Sequence, residues 1–138
     1  MLASGYQKAI SERGQSIDDR LRIEVDEVSP LCAYEKIKLL IKGGVEFDGI
    51  FCNTDLLAVG AIRALDECGI RVPEDVKVIG FDDISISECN FKPITSVRQP
   101  ISEMGQLAVV TLIAMANGEK ITDHHYLLPV ELIRRSSS

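Results

Sequence analysis

The sequence predicts an α/β domain in which a parallel β-sheet carries helices on both faces. Short apolar segments alternate with longer segments of helical periodicity, and the connections between them are short. Parallel neighbouring strands need a crossover helix between them, so this alternation favours a parallel sheet over hairpins. With 138 residues the chain has the length of one ordinary domain.

The N-terminal part predicts a helix and then a strand. Apolar side chains recur at helical spacing between Leu2 and Ile10, and the pattern ends near Gly14. Segment 20–25 then alternates charged and apolar residues, which is the period of a half-buried strand. We therefore expect the sheet to begin at residues 20–25.

Two further helices have clear start and stop signals. Ser29 is an N-cap residue followed by a proline, and the glycine pair at 43–44 ends this second helix. Thr54 begins the third helix in the same way. Asp55 complements the positive end of that helix, and Gly69 permits a left-handed turn after it.

The remaining predicted strands are short and apolar. Segments 49–52 and 76–80 suit only buried strands, so with segment 20–25 they give three parallel strands. The pattern changes beyond Pro93, where the predicted elements are a short segment at 95–97, a helix at about 101–117 and strand-like pieces at 126–128 and 131–133. We expect this C-terminal end to form a different packing layer.

Charge and hydropathy argue against nucleic-acid and membrane contacts. The net charge is -6 and the pI is about 4.9, and the basic residues are scattered rather than clustered. Because a phosphate backbone is bound by clustered positive charge, we expect no direct DNA contact from this chain. The longest apolar stretch, 107–116, is half a membrane span, and the N-terminus has no signal-peptide core. We expect a cytoplasmic domain with no membrane contact.

Cysteine, histidine and motif usage argue against a metal, a cofactor or an enzyme. The four cysteines lie far apart without a C-x-x-C pair, so we expect reduced thiols. His124 and His125 are neighbours on a predicted strand and point to opposite faces, which suits surface histidines rather than a chelating pair. No P-loop, nucleophile elbow or dinucleotide-binding glycine motif is present.

Polar clusters follow the three predicted strands, and they are Asp26-Glu27, Asn53-Thr54-Asp55 and Asp82-Asp83. The carboxyl ends of parallel strands share one edge, so these clusters can converge on one ligand. Carboxylates beside amides and hydroxyls suit the hydroxyl groups of a sugar or a nucleoside. A helix-capping role for Asp55 stays open, and we expect either Asp82 or Asp83 to be structural because adjacent side chains diverge.

Several linked motifs resemble one family of regulators. They begin with the stretch FDGIFCNTDLLAVGAIRALDECGIRVPEDVKVIGFDDI. This stretch is followed by ITSVRQP, by the helix ISEMGQLAVVTLIAM and by HHYLLPVELIRRSSS. From about Gly5 to Ser136 the chain resembles the C-terminal half of a lactose-repressor/galactose-repressor family transcriptional regulator. The family implies a periplasmic-binding-protein-like (type I) core of two α/β lobes, with a sugar or a purine bound in the cleft. It also implies a helix-turn-helix headpiece that binds operator DNA as a dimer.

The resemblance implies how this chain is divided and which partners it has. Residues 1–99 correspond to the effector-binding second lobe without its first elements, and residues 100–138 to a crossover helix and terminal strands that would normally join the first lobe. Operator DNA would be contacted only through the headpiece, which is not in this sequence. Without a first lobe to cover it, we expect the helix after Gln99 to pack on a second copy of the chain or to fold back on its own sheet.

The resemblance also assigns residues to the effector and to a dimer surface. Asp82 falls where the family places an acid against effector hydroxyls, and Gln99 falls on the polar position of the returning crossover. Thr54 matches an asparagine that contacts the effector in many members, and Val28 matches an aromatic residue that covers it. The residues that resemble the dimer surface are Leu56, Val59 and Arg63 on the third helix, with Cys89 and Asn90 in the segment 85–90. Core packing is the alternative role for Val59.

The sequence therefore predicts the effector-binding and dimerisation part of a transcriptional regulator, a repressor. A periplasmic sugar-binding protein of related fold is one alternative, disfavoured by the four cysteines and the absence of an export signal. A receiver-like domain or small enzyme that uses Asp55 and Asp82 is another. In a receiver the acid pair would follow the first strand, whereas here it follows the third.

Overall fold

A computed structural model of the chain describes residues 2–121 and 125–138. The helices within these ranges are α1 (Leu2–Glu12), α2 (Pro30–Lys42), α3 (Asp55–Glu67), α4 (Ser85–Cys89) and α5 (Ile101–Ala116). The strands within the same ranges are β1 (Gly49–Phe51), β2 (Lys77–Asp82), β3 (Thr95–Arg98) and β4 (Glu131–Ile133).

The strands form one sheet in the order β1-β2-β3-β4. The first three strands are parallel, and β4 runs antiparallel to β3. In the register of β2 and β3, Asp82 lies opposite Arg98. This confirms the predicted α/β class with a mostly parallel sheet, and it places the carboxyl ends of β1, β2 and β3 at one edge.

The layer that supports this edge consists of α2 and α3. The predicted caps are confirmed, because the Ser29 and Thr54 hydroxyls accept from the amides of Cys32 and Leu57 at 3.2 and 3.4 Å. Gly60 of α3 lies against the backbone of Pro30 and lets the two helices approach closely. The buried core lies between these helices and the sheet and includes Ile37, Ala58, Ala61, Ile62, Leu65, Val78 and Ile94.

The C-terminal tail returns to the same sheet beyond β4. The buried Ser137 hydroxyl donates to the Val78 carbonyl at 2.6 Å and accepts from the Thr95 amide at 2.8 Å. Its own carbonyl accepts from the Val78 amide at 2.8 Å. The tail thereby bridges the amino ends of β2 and β3 and fixes their relative position.

Two predicted strands are wrong. Within segment 20–25 the chain forms part of a 3₁₀ turn, Asp19–Leu21, and residues 22–25 have no ladder partner among the described residues. Residues 126–128 likewise form no strand and have irregular structure. Alternating polarity favours a strand, but a strand forms only where a neighbour supplies the other half of each backbone hydrogen bond. The predicted strands at 49–52, 76–80, 95–97 and 131–133 are confirmed within two residues.

The predicted long helix α5 is confirmed, but its expected fold-back onto the sheet is wrong. No residue of α5 is buried, and large apolar side chains such as Leu112 and Ile113 are more than half exposed. Residues 121, 126–128 and 130 line, together with α5, an open groove of about 740 Å³ that reaches Gln99. The expected packing against a second copy of the chain stays a prediction. None of the described helices combines the length and the apolar character needed to cross a membrane.

Candidate functional site

The candidate site lies where β1, β2 and β3 end. Thr54 follows β1, Asp82 is the last residue of β2, and Gln99 follows β3. Because these strands are adjacent and parallel, the three residues come from 17 to 45 positions apart to one edge of the sheet. The predicted convergence of polar side chains is therefore present for Thr54 and Asp82, and Gln99 lies at the same edge.

The structure joins Asp82 and Gln99 directly. The Gln99 amide nitrogen Nε2 donates to Asp82 Oδ1 at 2.6 Å, and both residues are half-buried. In the described part of the chain, the other carboxylate oxygen of Asp82 and the amide oxygen of Gln99 take part in no further hydrogen bond. Two acceptor oxygens thus remain for the hydroxyl groups of a ligand.

Asp82 sits at a turn with an unusual backbone. Asp82 and Asp83 have φ values of 96° and 51°, in a region that non-glycine residues seldom occupy. Such a conformation persists only where the surrounding structure holds it, and it is often found at binding sites. Two sets of hydrogen bonds, one around Asp83 and one around Asp55, hold this turn.

Asp83 is the structural member of the acid pair, as expected for one of the two. Its carboxylate accepts from Arg98 Nε and from Arg135 Nη1, both at 2.7 Å, and only 3% of the side chain is exposed. Burial by itself raises the pKa of Asp83, but the hydrogen bonds from Arg135 and Arg98 outweigh it and hold the pKa below its usual value. Arg135 also donates to the Ile94 carbonyl, which ties the C-terminal segment to the site.

Asp55 makes hydrogen bonds beyond the helix-capping role that the sequence left open. It is fully buried, and its two carboxylate oxygens accept from the Ser96 hydroxyl at 2.6 Å and from the Ile84 amide at 2.9 Å. Its burial excludes direct contact with a ligand. Burial first, and then the charge of Asp55, raise the pKa of the Cys52 thiol to about 12. A buried thiol with a raised pKa stays protonated near neutral pH, which disfavours a nucleophilic role for Cys52.

The other predicted ligand residues are less well defined. Thr54 is half-buried and its hydroxyl oxygen caps α3, which leaves its hydroxyl proton free to donate. Val28 lies in the turn before α2 and is 51% exposed. The expectation that Asp26-Glu27 ends a strand is wrong, because segment 22–25 is not a strand. The Asp26 carboxylate is 91% exposed and pairs with Lys36 at 3.6 Å.

The residues predicted for a dimer surface lie on α3 and around α4, which contact each other. Leu56 and Cys89 are exposed, whereas Val59 is half-buried and packs partly against the core. Arg63 is exposed, pairs with Glu67 at 3.2 Å and lies over the ring of Tyr34. Asn90 donates to the Lys92 carbonyl at 3.0 Å. The surface is therefore accessible, apart from the inner side of Val59.

The site shows no arrangement that would hold a metal. Across the described ranges, no group of three or more His, Cys, Asp and Glu side chains lies close enough together to coordinate one ion. His125 is exposed, as expected for a surface histidine, and His124 lies outside the described residues.

Comparison with known proteins supports the family that the sequence motifs resemble. The family model described as a periplasmic binding protein-like domain matches residues 1–138. The HTH-type transcriptional regulator RegA of Clostridium saccharobutylicum is 37% identical over 134 residues, which are 97% of this chain and 40% of RegA. The chain thus spans well under half of that relative.

Solved structures match this chain in fold as well as in sequence. A sugar-binding transcriptional regulator of the LacI family from Escherichia coli, complexed with phosphate, is 33% identical with a TM-score of 0.88 over 99% of this chain and 48% of that one. The Lac repressor dimer bound to operator and the anti-inducer ONPF is 27% identical, with a TM-score of 0.87 over 99% and 46%. The chain belongs to the periplasmic binding protein-like domain family, and these matched relatives are HTH-type and LacI-family transcriptional regulators.

Proposed function

We propose that this chain is the effector-binding and dimerisation part of a DNA-binding transcriptional regulator, a cytoplasmic repressor that senses a small molecule. The observation that carries the proposal is the hydrogen-bonded pair of Asp82 and Gln99 at the carboxyl edge of the sheet. The relatives supply the regulatory context, since RegA is an HTH-type regulator and the Lac repressor structure contains operator DNA. Operator binding belongs to a headpiece outside this chain, and the proposal includes no enzymatic step and no cofactor.

The chemistry of the edge favours a polyhydroxylated effector, a sugar in the first place and a nucleoside as the alternative. The carboxylate oxygen of Asp82 that Gln99 leaves free accepts a hydroxyl proton in a direction fixed by the turn, and the Gln99 amide oxygen accepts another. We assign Thr54 as a hydroxyl donor and Val28 as the apolar cover of the ligand. One relative is itself called sugar-binding. In the proposed division, residues 1–99 form the effector lobe and residues 100–138 the crossover segment.

Replacing Asp82 with asparagine is expected to weaken effector binding about 10–100-fold, since a hydrogen bond to a charged acceptor is replaced by one to a neutral group. Asparagine tolerates a positive φ at least as well as aspartate, so the turn should survive. The measurement is a thermal-shift screen against lactose, cellobiose, maltose, galactose, ribose and adenosine. A compound from this set that is present at ten times its Kd stabilises the native protein by about 1.4 kcal/mol, which raises the melting temperature by several degrees.

Asp66→Asn is the matched control for this substitution, because it removes the same charge from an exposed carboxylate in the last turn of α3, at the opposite end of that helix from Thr54. It should leave the shift unchanged, while Asp82→Asn should remove most of it. An Asp82→Asn protein that responds to the same compound as strongly as the unsubstituted protein would overturn the assignment of Asp82.

We also propose that the exposed side of α3, with Leu56, Val59 and Arg63, and the segment with Cys89 and Asn90 form a homodimer surface. A charge placed in the apolar centre of such a surface loses its hydration without gaining a partner. Leu56→Asp is therefore expected to shift the chain from dimer to monomer in sedimentation equilibrium. Leu39→Asp is the matched control, because Leu39 is 65% exposed on α2. A Leu56→Asp chain that remains dimeric would contradict this surface.

A further inference from the structure

The buried carboxylate of Asp55 links the start of α3 to the turn that carries Asp82. One carboxylate oxygen accepts from the Ile84 amide at 2.9 Å, and the other accepts from the Ser96 hydroxyl at 2.6 Å. The same hydroxyl oxygen accepts from the Asp83 amide at 3.1 Å. Both backbone amides that follow Asp82 are thus held by Asp55, one directly and one through Ser96.

Gly80 makes this contact possible. A Cβ atom at position 80 would lie 2.1 Å from Asp55 Oδ1, so the carboxylate occupies the space that any other residue's side chain would fill. Asp55 and Ser96 are both fully buried, which removes water as a competing partner for these hydrogen bonds. The three residues come from α3, β2 and β3, so the contact joins three elements below the ligand edge.

We propose that Asp55 is a positioning residue for the effector site: through Ser96 and the two amides it fixes the left-handed turn that aims the Asp82 carboxylate at Gln99. This inference rests on the proposed function, because it assumes that Asp82 contacts the effector. Asp82 and Asp83 both have positive φ, and an unsupported turn of this kind relaxes toward negative φ. Such a relaxation rotates the Asp82 side chain away from its 2.6 Å contact with Gln99.

The proposal can be tested without any effector, by NMR on the ¹⁵N-labelled 138-residue chain. The two readouts are hydrogen exchange of the Asp83 and Ile84 amides and the side-chain amide resonances of Gln99. Asp55→Asn replaces one acceptor oxygen with an NH₂ group, which cannot accept from a hydroxyl or an amide. We expect exchange at Ile84 to accelerate about tenfold or more, and the Gln99 resonances to move toward those of a free glutamine. The amides of Leu65 and Val78 in the core should keep their protection.

Ser96→Ala provides a second variant in case Asp55→Asn does not fold. It should release the Asp83 amide and move the Gln99 resonances in the same direction. Ser87→Ala is the matched control, because Ser87 is equally buried and its hydroxyl has no hydrogen-bond partner within the described residues. It should change neither readout.

Two results would overturn the positioning role. In the first, the Asp83 and Ile84 amides lose protection while the Gln99 resonances stay in place, so the turn does not control Asp82. In the second, all core amides lose protection together, so Asp55 contributes only to global stability. Neither readout involves a ligand. A chain that passes this test yet binds none of the screened compounds would therefore count against the proposed function alone.

Discussion

Gly60→Ala is expected to destabilise the domain by about 2–3 kcal/mol, because overpacking a well-packed contact costs this much. A Cβ atom at this position would lie 1.9 Å from the Pro30 carbonyl oxygen and 2.8 Å from its carbonyl carbon. Both are backbone atoms at the start of α2, so they cannot move aside as a flexible side chain can. Relief requires α2 and α3 to separate, which opens the core between them. The measurement is urea unfolding followed by circular dichroism.

Helix propensity acts in the opposite direction in this substitution. Alanine is about 1 kcal/mol more favourable than glycine within a helix, so the steric cost must exceed this gain. Gly105→Ala in α5 is the matched control, since a Cβ atom there meets no atom within 4 Å. It should leave the midpoint unchanged or raise it. A Gly60→Ala chain as stable as the unsubstituted one would show that α2 and α3 do not pack in this way.

Gly80→Ala is expected to affect both stability and the site. The new methyl group would lie 2.1 Å from Asp55 Oδ1, and that carboxylate is fully buried and held by two hydrogen bonds. Displacing it adds the cost of broken buried hydrogen bonds to the cost of overpacking, about 2–4 kcal/mol in all. We expect a lower midpoint in urea and the same movement of the Gln99 side-chain resonances as in Asp55→Asn.

Two further variants make the Gly80 result specific. Gly49→Ala in β1 places a Cβ atom 3.9 Å from its nearest neighbour, which is ordinary contact, so it should cost far less. In the double variant with Asp55→Ala, the atom that the new methyl group meets is gone. The two substitutions should therefore cost less together than the sum of their separate effects. An additive result would mean that the clash between positions 80 and 55 is not the cause of the loss.

Local signals in the sequence were sufficient where the structure depends on neighbouring residues. The Ser29 and Thr54 caps, and the glycines after α2 and α3, act within one helical turn, and all were predicted. Segment 20–25 shows the limit. Its alternation is genuine, but whether it forms a strand depends on a partner strand that no local pattern reveals.

The candidate site was predictable to a similar extent. Alternation of strands and helices was enough to place Thr54 and Asp82 at one edge, because parallel topology does so for any sequence. Gln99 was assigned only through the resemblance to the family. The contact between Asp83 and Arg135 spans 52 positions and depends on how the chain returns after β4, so no sequence pattern announced it. The role of Asp55 was also missed. Two sequence features could have indicated this role: a residue without a side chain, Gly80, and a hydroxyl residue, Ser96, on the two strands that follow α3.

The apolar face of α5 has no covering element in the described part of the chain. Each large aliphatic side chain on it would gain about 1.5–3 kcal/mol on full burial, so the face favours association. The groove between α5 and residues 126–130 reaches Gln99, which places it beside the proposed effector contacts. A ligand bound at Asp82 and a ligand bound in this groove would therefore have to be distinguished by experiment.

An NMR titration tests the central claim most directly. The ¹⁵N-labelled chain is titrated with the compound that stabilises it most in the thermal screen, and chemical-shift changes are mapped onto the sequence. Binding at the carboxyl edge predicts the largest changes at the Asp82 and Asp83 amides, the Thr54 amide and the Gln99 side chain. Changes concentrated on α5 and residues 126–130, with Asp82 and Gln99 unaffected, would contradict the proposed effector site.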